Sequence, residues 1–130
     1  MTNQYRGIWI LAILFSVFVG SCSVYKQAVS TKRLVGLWES KVLEQGEQLT
    51  ILLHLFADGN STYQFISKAE TFNDTGTWNY SDRILHEQYS DGSTGEGSIK
   101  WISKNKFEIT IIDNGDPSYS GLKRVYKRKE

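Results

Sequence analysis

Apolar and polar side chains alternate in short runs between Leu34 and Lys127, and turn-forming residues separate these runs. Alternation with a period of two places every second side chain on one face, as in a β-strand with one buried face. The pattern predicts eight strands: Leu37–Leu43, Leu49–Phe56, Thr62–Ile66, Thr75–Tyr80, Ile84–Tyr89, Ile99–Ser103, Phe107–Asp113 and Leu122–Lys127. Loops are predicted at residues 90–97 and 114–120. The sequence therefore predicts one all-β domain, an antiparallel up-and-down barrel without exposed strand edges, with a two-sheet sandwich as the alternative.

The second predicted strand is apolar on both faces. Leu52 and Phe56 lie opposite the face that carries Leu53 and Leu55. Such a strand in a small antiparallel protein needs a cover on its outer side. The cover could be the segment that precedes the barrel, which we favour, a partner protein or another copy of the chain. If Leu52 and Phe56 are exposed, they are expected to form a protein-binding surface.

The N-terminal segment has the pattern of an export signal. Arg6 precedes an apolar run from Ile8 to Gly20, and small residues come directly before Cys22. This run is shorter than the roughly 20 residues that a transmembrane helix needs. We therefore predict a signal peptide at residues 1–21 and a tether at residues 22–33; a short membrane anchor and ordinary secretion are the alternatives. Cys22 is the only cysteine, so no intrachain disulfide can form.

The residues Val19-Gly20-Ser21-Cys22 resemble the lipobox of bacterial lipoproteins. The resemblance implies that Cys22 becomes the first residue of the mature chain and carries acyl chains such as palmitate. Two or three such chains would hold the protein at a membrane, since each buried methylene contributes about 0.8 kcal/mol. Ser23 follows in place of an aspartate, and the acidic run that directs export to the cell surface is missing. The expected location is the outer membrane, with the domain facing the periplasm.

Charge and motifs exclude several functions. Removal of Arg6 with the signal would leave equal numbers of basic and acidic residues, which argues against a nucleic-acid partner. His54 and His86 lie on separate predicted strands, and no metal-ligand spacing, phosphate loop or nucleophile elbow is present. We therefore expect no metal, no cofactor and no enzymatic activity.

Four segments, in order, resemble lipocalin-like domains of small bacterial lipoproteins, which are common in Bacteroidota. The opening segment contains Gly36-Leu37-Trp38, and the next is Phe56-Ala57-Asp58-Gly59. Thr75-Gly76-Thr77-Trp78 and Tyr126-Lys127-Arg128 follow at the expected distances. The resemblance covers residues 34–128 and implies the barrel predicted above.

The resemblance also implies roles for individual residues. In lipocalins the tryptophan of the first strand closes one end of the barrel against a basic residue of the last strand. Trp38 matches the tryptophan. Arg124, Lys127 and Arg128 are the candidates for the basic partner, because the sequence does not fix the register of the last strand, and Arg124 and Arg128 are the ones we assign to barrel closure. Lipocalins bind small apolar molecules inside the barrel. The candidate interior residues here are Trp38, Leu53, Leu55, Tyr63, Phe65, Trp78, Tyr80, Trp101, Phe107 and Ile109.

The expected function is the binding of a small hydrophobic or amphipathic ligand by an envelope lipoprotein. A barrel filled by its own aromatic side chains is the structural alternative, because eight strands leave little more room than these side chains need. A filled barrel with Leu52 and Phe56 exposed would favour a structural or assembly protein instead. An enzyme-inhibitor module acting through the two long loops is a minor third possibility.

Overall fold

The structure is a computed structural model and describes residues 31–129. The predicted signal peptide and Cys22 lie outside the described residues. Residues 31–34 are helical, and the compact unit that contains the barrel begins at Leu34. Within the described part of the chain, no helix has the length and apolar character needed to cross a bilayer.

The described residues form eight strands and a short 3-10 helix. The strands are β1 (Gly36–Glu44), β2 (Glu47–Leu55), β3 (Asn60–Ile66), β4 (Thr71–Ser81), β5 (Ile84–Tyr89), β6 (Thr94–Ser103), β7 (Lys106–Asp113) and β8 (Lys123–Arg128). The 3-10 helix, Pro117–Tyr119, lies in the loop between β7 and β8.

The eight strands form one closed antiparallel barrel in sequence order. Each strand pairs with the next along the chain, and β1 pairs with β8 through Trp38 opposite Arg128 and Glu39 opposite Lys127. Closure pairs the first strand with the last, so neither remains as an exposed edge. The predicted up-and-down barrel is confirmed, and the two-sheet sandwich is wrong.

Two strands begin at least four residues earlier than the sequence predicts. β4 begins at Thr71 rather than Thr75, and β6 begins at Thr94 rather than Ile99, so half of the loop predicted at residues 90–97 is strand. The inward positions at the start of β6 are Gly95 and Gly97, which are buried but have no apolar side chain. The alternating pattern therefore disappears over residues that still pair in the sheet. Glycine is normally unfavourable in a strand, which is why sequence reasoning placed a loop here.

The two ends of the barrel differ because the inward side chains differ in size. Along β6 the inward positions change from Gly95 and Gly97 to Ile99 and then Trp101. Large side chains thus gather at the end where β1 begins and β8 ends, which we call the closed end. The opposite end, which we call the open end, contains the connections β1–β2, β3–β4, β5–β6 and β7–β8.

Candidate ligand site

The closed end is sealed by Trp38 and its neighbours. Trp38 is fully buried, and its indole Nε1 donates a hydrogen bond of 2.8 Å to the carbonyl oxygen of Leu34. The guanidinium carbon of Arg128 lies 4.3 Å from the centroid of the Trp38 ring. Arg128 Nη1 also donates to the carbonyl oxygen of Val35 at 2.9 Å, and its Nε donates to Asn105 Oδ1 at 3.1 Å. Arg128 therefore makes the cation–π contact with Trp38 and links three separate segments.

Aromatic rings fill the space above this contact. The ring centroids of Phe107 and Trp38 are 4.6 Å apart in an edge-to-face arrangement, and those of Phe107 and Tyr126 are 5.4 Å apart. Trp101 packs against both Trp38 and Phe107, with centroid distances of 6.0 and 5.5 Å. These rings pack together in the core and form the floor of the barrel interior.

A cavity of about 410 Å³ occupies the open half of the barrel. Gly95 and Gly97 line it and make room for the side chains packed against them, because a Cβ at Gly97 would lie 2.4 Å from the Ile109 side chain and one at Gly95 would lie 2.8 Å from the Tyr89 hydroxyl. The apolar and aromatic residues that line it are Leu49, Leu53, Tyr63, Phe65, Leu85, Tyr89, Ile109, Ile111, Tyr119 and Tyr126. The barrel is therefore not completely filled by its own side chains.

The ten interior residues predicted from the sequence divide into two groups. The first group lines the cavity and consists of Leu53, Tyr63, Phe65 and Ile109. The second group packs in the core without lining the cavity and consists of Trp38, Leu55, Trp78, Tyr80, Trp101 and Phe107. The tryptophans predicted inside thus pack in the core, and a ligand would contact tyrosine, phenylalanine and aliphatic side chains.

The cavity wall contains a polar cluster that the sequence analysis missed. The carboxylate of Glu87, a residue only 8% exposed, accepts hydrogen bonds from the hydroxyls of Tyr63 and Tyr89, the latter at 2.8 Å. Arg124 lines the same cavity and acts electrostatically on Glu87 and Tyr126. Arg124, one of the candidates for barrel closure, therefore lies at the cavity, and Arg128 is the residue that contacts Trp38. Leu85, Glu87 and Tyr89 alternate along β5, and this spacing is the signal that could have placed Glu87 inside.

Burial shifts the ionisation of this cluster. Removal from water raises the pKa of Glu87, although the two tyrosine hydrogen bonds and the charge of Arg124 act in the opposite direction. Burial, followed by the nearby Glu87 charge, raises the pKa of Tyr63 well above its ordinary value. The pKa of Tyr126 is raised to about 12, mainly by burial. The three groups therefore resist ionisation inside the barrel.

Carboxylates surround the mouth of the cavity. Glu44, Asp74 and Asp113 stand at the open ends of β1, β4 and β7 and line the cavity together with Glu96. Asp74 Oδ1 accepts hydrogen bonds of 2.8 Å from the backbone N–H of Thr75 and from the hydroxyl of Ser90. We refer to Glu44, Asp74 and Asp113 as the rim carboxylates.

The two histidines lie outside this cavity. The His54 ring stacks on Phe56 at a centroid distance of 3.8 Å, on the outer face of β2. His86 contacts the Ser81 hydroxyl at 3.4 Å and Glu96 at 3.3 Å on the outer face of β4–β6. Neither His86 nor Ser81 lines the cavity. Among the described residues, no group of three metal-binding side chains is close enough together to hold an ion.

The outer face of β2 only partly matches the predicted patch. Leu52 is half-buried, and Phe56 is 37% exposed. The most exposed large apolar side chains are instead Leu43 at 81% and Phe72 at 59%, both near the open end. The segment that we expected to cover Leu52 and Phe56 lies almost entirely outside the described residues.

Comparisons with known proteins give a fold but no family. No protein-family model matches the chain, and no curated protein matches it either. Among solved structures, a de novo designed fluorescence-activating β-barrel is similar, with a TM-score of 0.50 and 16% sequence identity. The match covers 77% of this chain and 97% of the designed chain. Fold and site together define an eight-stranded antiparallel barrel with an internal cavity that is open at one end.

Proposed function

We propose that this barrel binds a small hydrophobic or amphipathic molecule in its cavity, without a catalytic step. The observation that carries the proposal is the cavity of about 410 Å³ above a floor sealed by Trp38 and Arg128. Ligand pockets usually have volumes of about 300 to 1,000 Å³, with mostly apolar walls and a few polar groups. The similar designed barrel is described as fluorescence-activating, and it supports the proposal only at the level of the fold.

The wall chemistry matches an amphipathic ligand. Leu53, Phe65 and Ile109 offer apolar surface, and each square ångström of apolar surface removed from water contributes about 25 cal/mol. Glu87 and Arg124 place charged groups in the same wall, where a polar group of the ligand would find hydrogen-bond partners. A purely apolar ligand would cover these groups without offering them a hydrogen-bond partner, at a cost in affinity.

Filling the cavity mouth is expected to weaken ligand binding. Leu49 lines the cavity at the start of β2, so Leu49→Trp would place an indole where the ligand enters. We expect binding of an environment-sensitive apolar dye to weaken at least about tenfold, which corresponds to about 1.4 kcal/mol. The measurement is a fluorescence titration of the purified protein.

Leu43→Trp is the matched control for this experiment. Leu43 lies on the same β1–β2 hairpin, is 81% exposed and does not line the cavity. The control protein should bind the dye as the unmodified protein does. Equal dye affinity in both variants would contradict binding inside the barrel. Native mass spectrometry of protein purified gently from its own cells would then identify the molecule that occupies the cavity.

We further propose that the barrel is held at the bacterial outer membrane by acyl chains on Cys22 and faces the periplasm. The lipobox-like residues before Cys22 support this proposal, together with an apolar run too short to span a bilayer. The variant Cys22→Ser is expected to move the protein from the membrane fraction to the soluble fraction after cell lysis. Retention of the variant in membranes would contradict the lipid anchor.

A structural or assembly role through the outer face is the second candidate function. Phe56, 37% exposed and stacked on His54, is the observation that favours it. Leu52 is half-buried, however, so the two residues form a smaller exposed patch than the sequence predicted. A filled barrel would have favoured this role, and the presence of a cavity favours ligand binding.

A further inference from the structure

We propose that the cavity selects an organic cation with an apolar or aromatic body, and that it discriminates against anionic amphiphiles such as fatty acids. This inference rests on the proposed function and specifies the ligand class. It depends on three features of the cavity: its aromatic wall, its buried carboxylate and the charge of its rim.

The aromatic wall is the first feature. Five aromatic rings line the cavity: Tyr63, Phe65, Tyr89, Tyr119 and Tyr126. The Tyr63 and Phe65 rings are stacked nearly parallel, 5.7 Å between centroids, and Tyr89 lies 6.0 Å from Tyr63. Aromatic faces attract ammonium groups through the ring quadrupole, and clusters of such rings recognise quaternary ammonium ligands. An anion would meet the negative faces of the same rings.

The buried carboxylate is the second feature. Each oxygen of Glu87 accepts one tyrosine hydroxyl, and a carboxylate has about four acceptor positions in total. Glu87 therefore keeps the capacity to accept from a ligand N–H. Arg124 is the single basic residue among the described lining residues, and its buried Nε has no hydrogen-bond partner there. Five acidic side chains line the same cavity, so the charge presented to a ligand is on balance negative: Glu44, Asp74, Glu87, Glu96 and Asp113.

The rim is the third feature. The donors to Asp74 and Asp113 are backbone N–H groups and a serine hydroxyl, and Glu44 accepts from the Tyr119 hydroxyl at 3.3 Å. These donors are neutral and leave the charge of the three carboxylates in place. Carboxylates grouped around a low-dielectric opening raise the local concentration of cations and repel anions. The rim thus favours cations over anions, as the aromatic wall does.

The test compares three amphiphiles with the same alkyl chain but different charge. Decyltrimethylammonium, 1-decanol and decanoate are titrated into the purified full-length protein by calorimetry, with Leu49→Trp protein as the blank. The cation should bind about tenfold more tightly than the alcohol, because a partly desolvated cation–π contact increases affinity by about this factor. The alcohol should in turn bind more tightly than decanoate. The preference for the cation should decrease at higher ionic strength, because the rim is exposed to screening.

Two isosteric double variants distinguish the effect of the rim charges on this preference from the effect of the total charge of the protein. Glu44→Gln with Asp113→Asn removes two rim charges and should lower the affinity ratio of cation to alcohol. Asp58→Asn with Asp82→Asn removes two charges from turns at the closed end and should leave that ratio unchanged.

The outcomes distinguish the two proposals. The inference is supported if the affinity decreases in the order cation, alcohol, anion, and if only the rim variants lower the affinity ratio of cation to alcohol. Equal affinity for the three probes, or tightest binding of decanoate, overturns the inference and leaves the proposed binding function intact. No binding above the Leu49→Trp blank for any probe contradicts the proposed function, and the inference fails with it.

Discussion

Replacing Trp38 by alanine is expected to lower the free energy of unfolding by about 4 kcal/mol, the upper range for a large aromatic residue removed from a core. The indole is fully buried and contacts both Phe107 and Trp101. Its removal leaves a cavity at the floor of the barrel and deprives Arg128 of its cation–π partner. Because small domains are stable by only about 5 to 15 kcal/mol, the variant should be close to unfolding. Urea denaturation followed by circular dichroism measures the loss.

Trp38→Phe provides the control for this prediction. A phenyl ring retains much of the apolar contact but lacks the indole N–H that donates to the carbonyl oxygen of Leu34. We expect an intermediate loss of about 2 kcal/mol, within the range for large core substitutions. If Trp38→Ala lowered stability by less than about 1 kcal/mol, the closed end could not be the centre of the core.

Replacing Glu87 by leucine is expected to cost about 3 kcal/mol, because it removes the shared partner of several buried polar groups. The hydroxyls of Tyr63 and Tyr89 would lose their acceptor, and Arg124 would lose the carboxylate that faces it. The apolar packing of leucine would not offset the free-energy cost of leaving three polar groups without their partner. Equilibrium denaturation at neutral pH measures the effect, and unchanged or increased stability would contradict the role of Glu87 as the centre of the cluster.

Glu87→Gln tests the ionisation of the same residue. In the folded protein the pKa of Glu87 is raised above its ordinary value of 4.5, so the folded state holds the proton to higher pH than the unfolded state. The stability that Glu87 contributes is therefore complete below this ordinary pKa and is lost as the pH rises through the folded pKa. The glutamine variant lacks this titration. Its stability relative to the unmodified protein should increase with pH from about 4.5 upward, and a constant difference would show that the pKa of Glu87 is unshifted.

Most of the fold could be predicted from alternation and turns alone. β2 and β7 were placed within two residues at each end because Leu53, Leu55 and Phe107 mark their inward faces without interruption. The start of β6 was missed because glycines occupy its inward positions. In the sequence these glycines resemble a loop, although in the barrel they face Tyr89 and Ile109. The start of β6 is a strand because the neighbouring strands supply the apolar contacts.

The site was less predictable than the fold. Tyr63 and Phe65 were correctly placed inside, since they alternate on a short strand, but Glu87 was not considered because carboxylates usually face water. Its hydrogen-bond partners are Tyr89, two residues further along β5, and Tyr63, which comes from another segment of the sequence. The choice between Arg124 and Arg128 likewise required the register of β1 against β8, which pairs Trp38 with Arg128.

The sequence by itself determined which side chains face inward wherever apolar and polar residues alternate, because a period of two is a local property of each strand. It also determined that strands joined by short connections pair in chain order. The tertiary structure alone decided which inward residues meet across the barrel, and hence that the tryptophan rings gather at one end. At the other end Gly95 and Gly97 make room for the side chains of Tyr89 and Ile109, and the size of the cavity depends on side chains that are far apart in the chain.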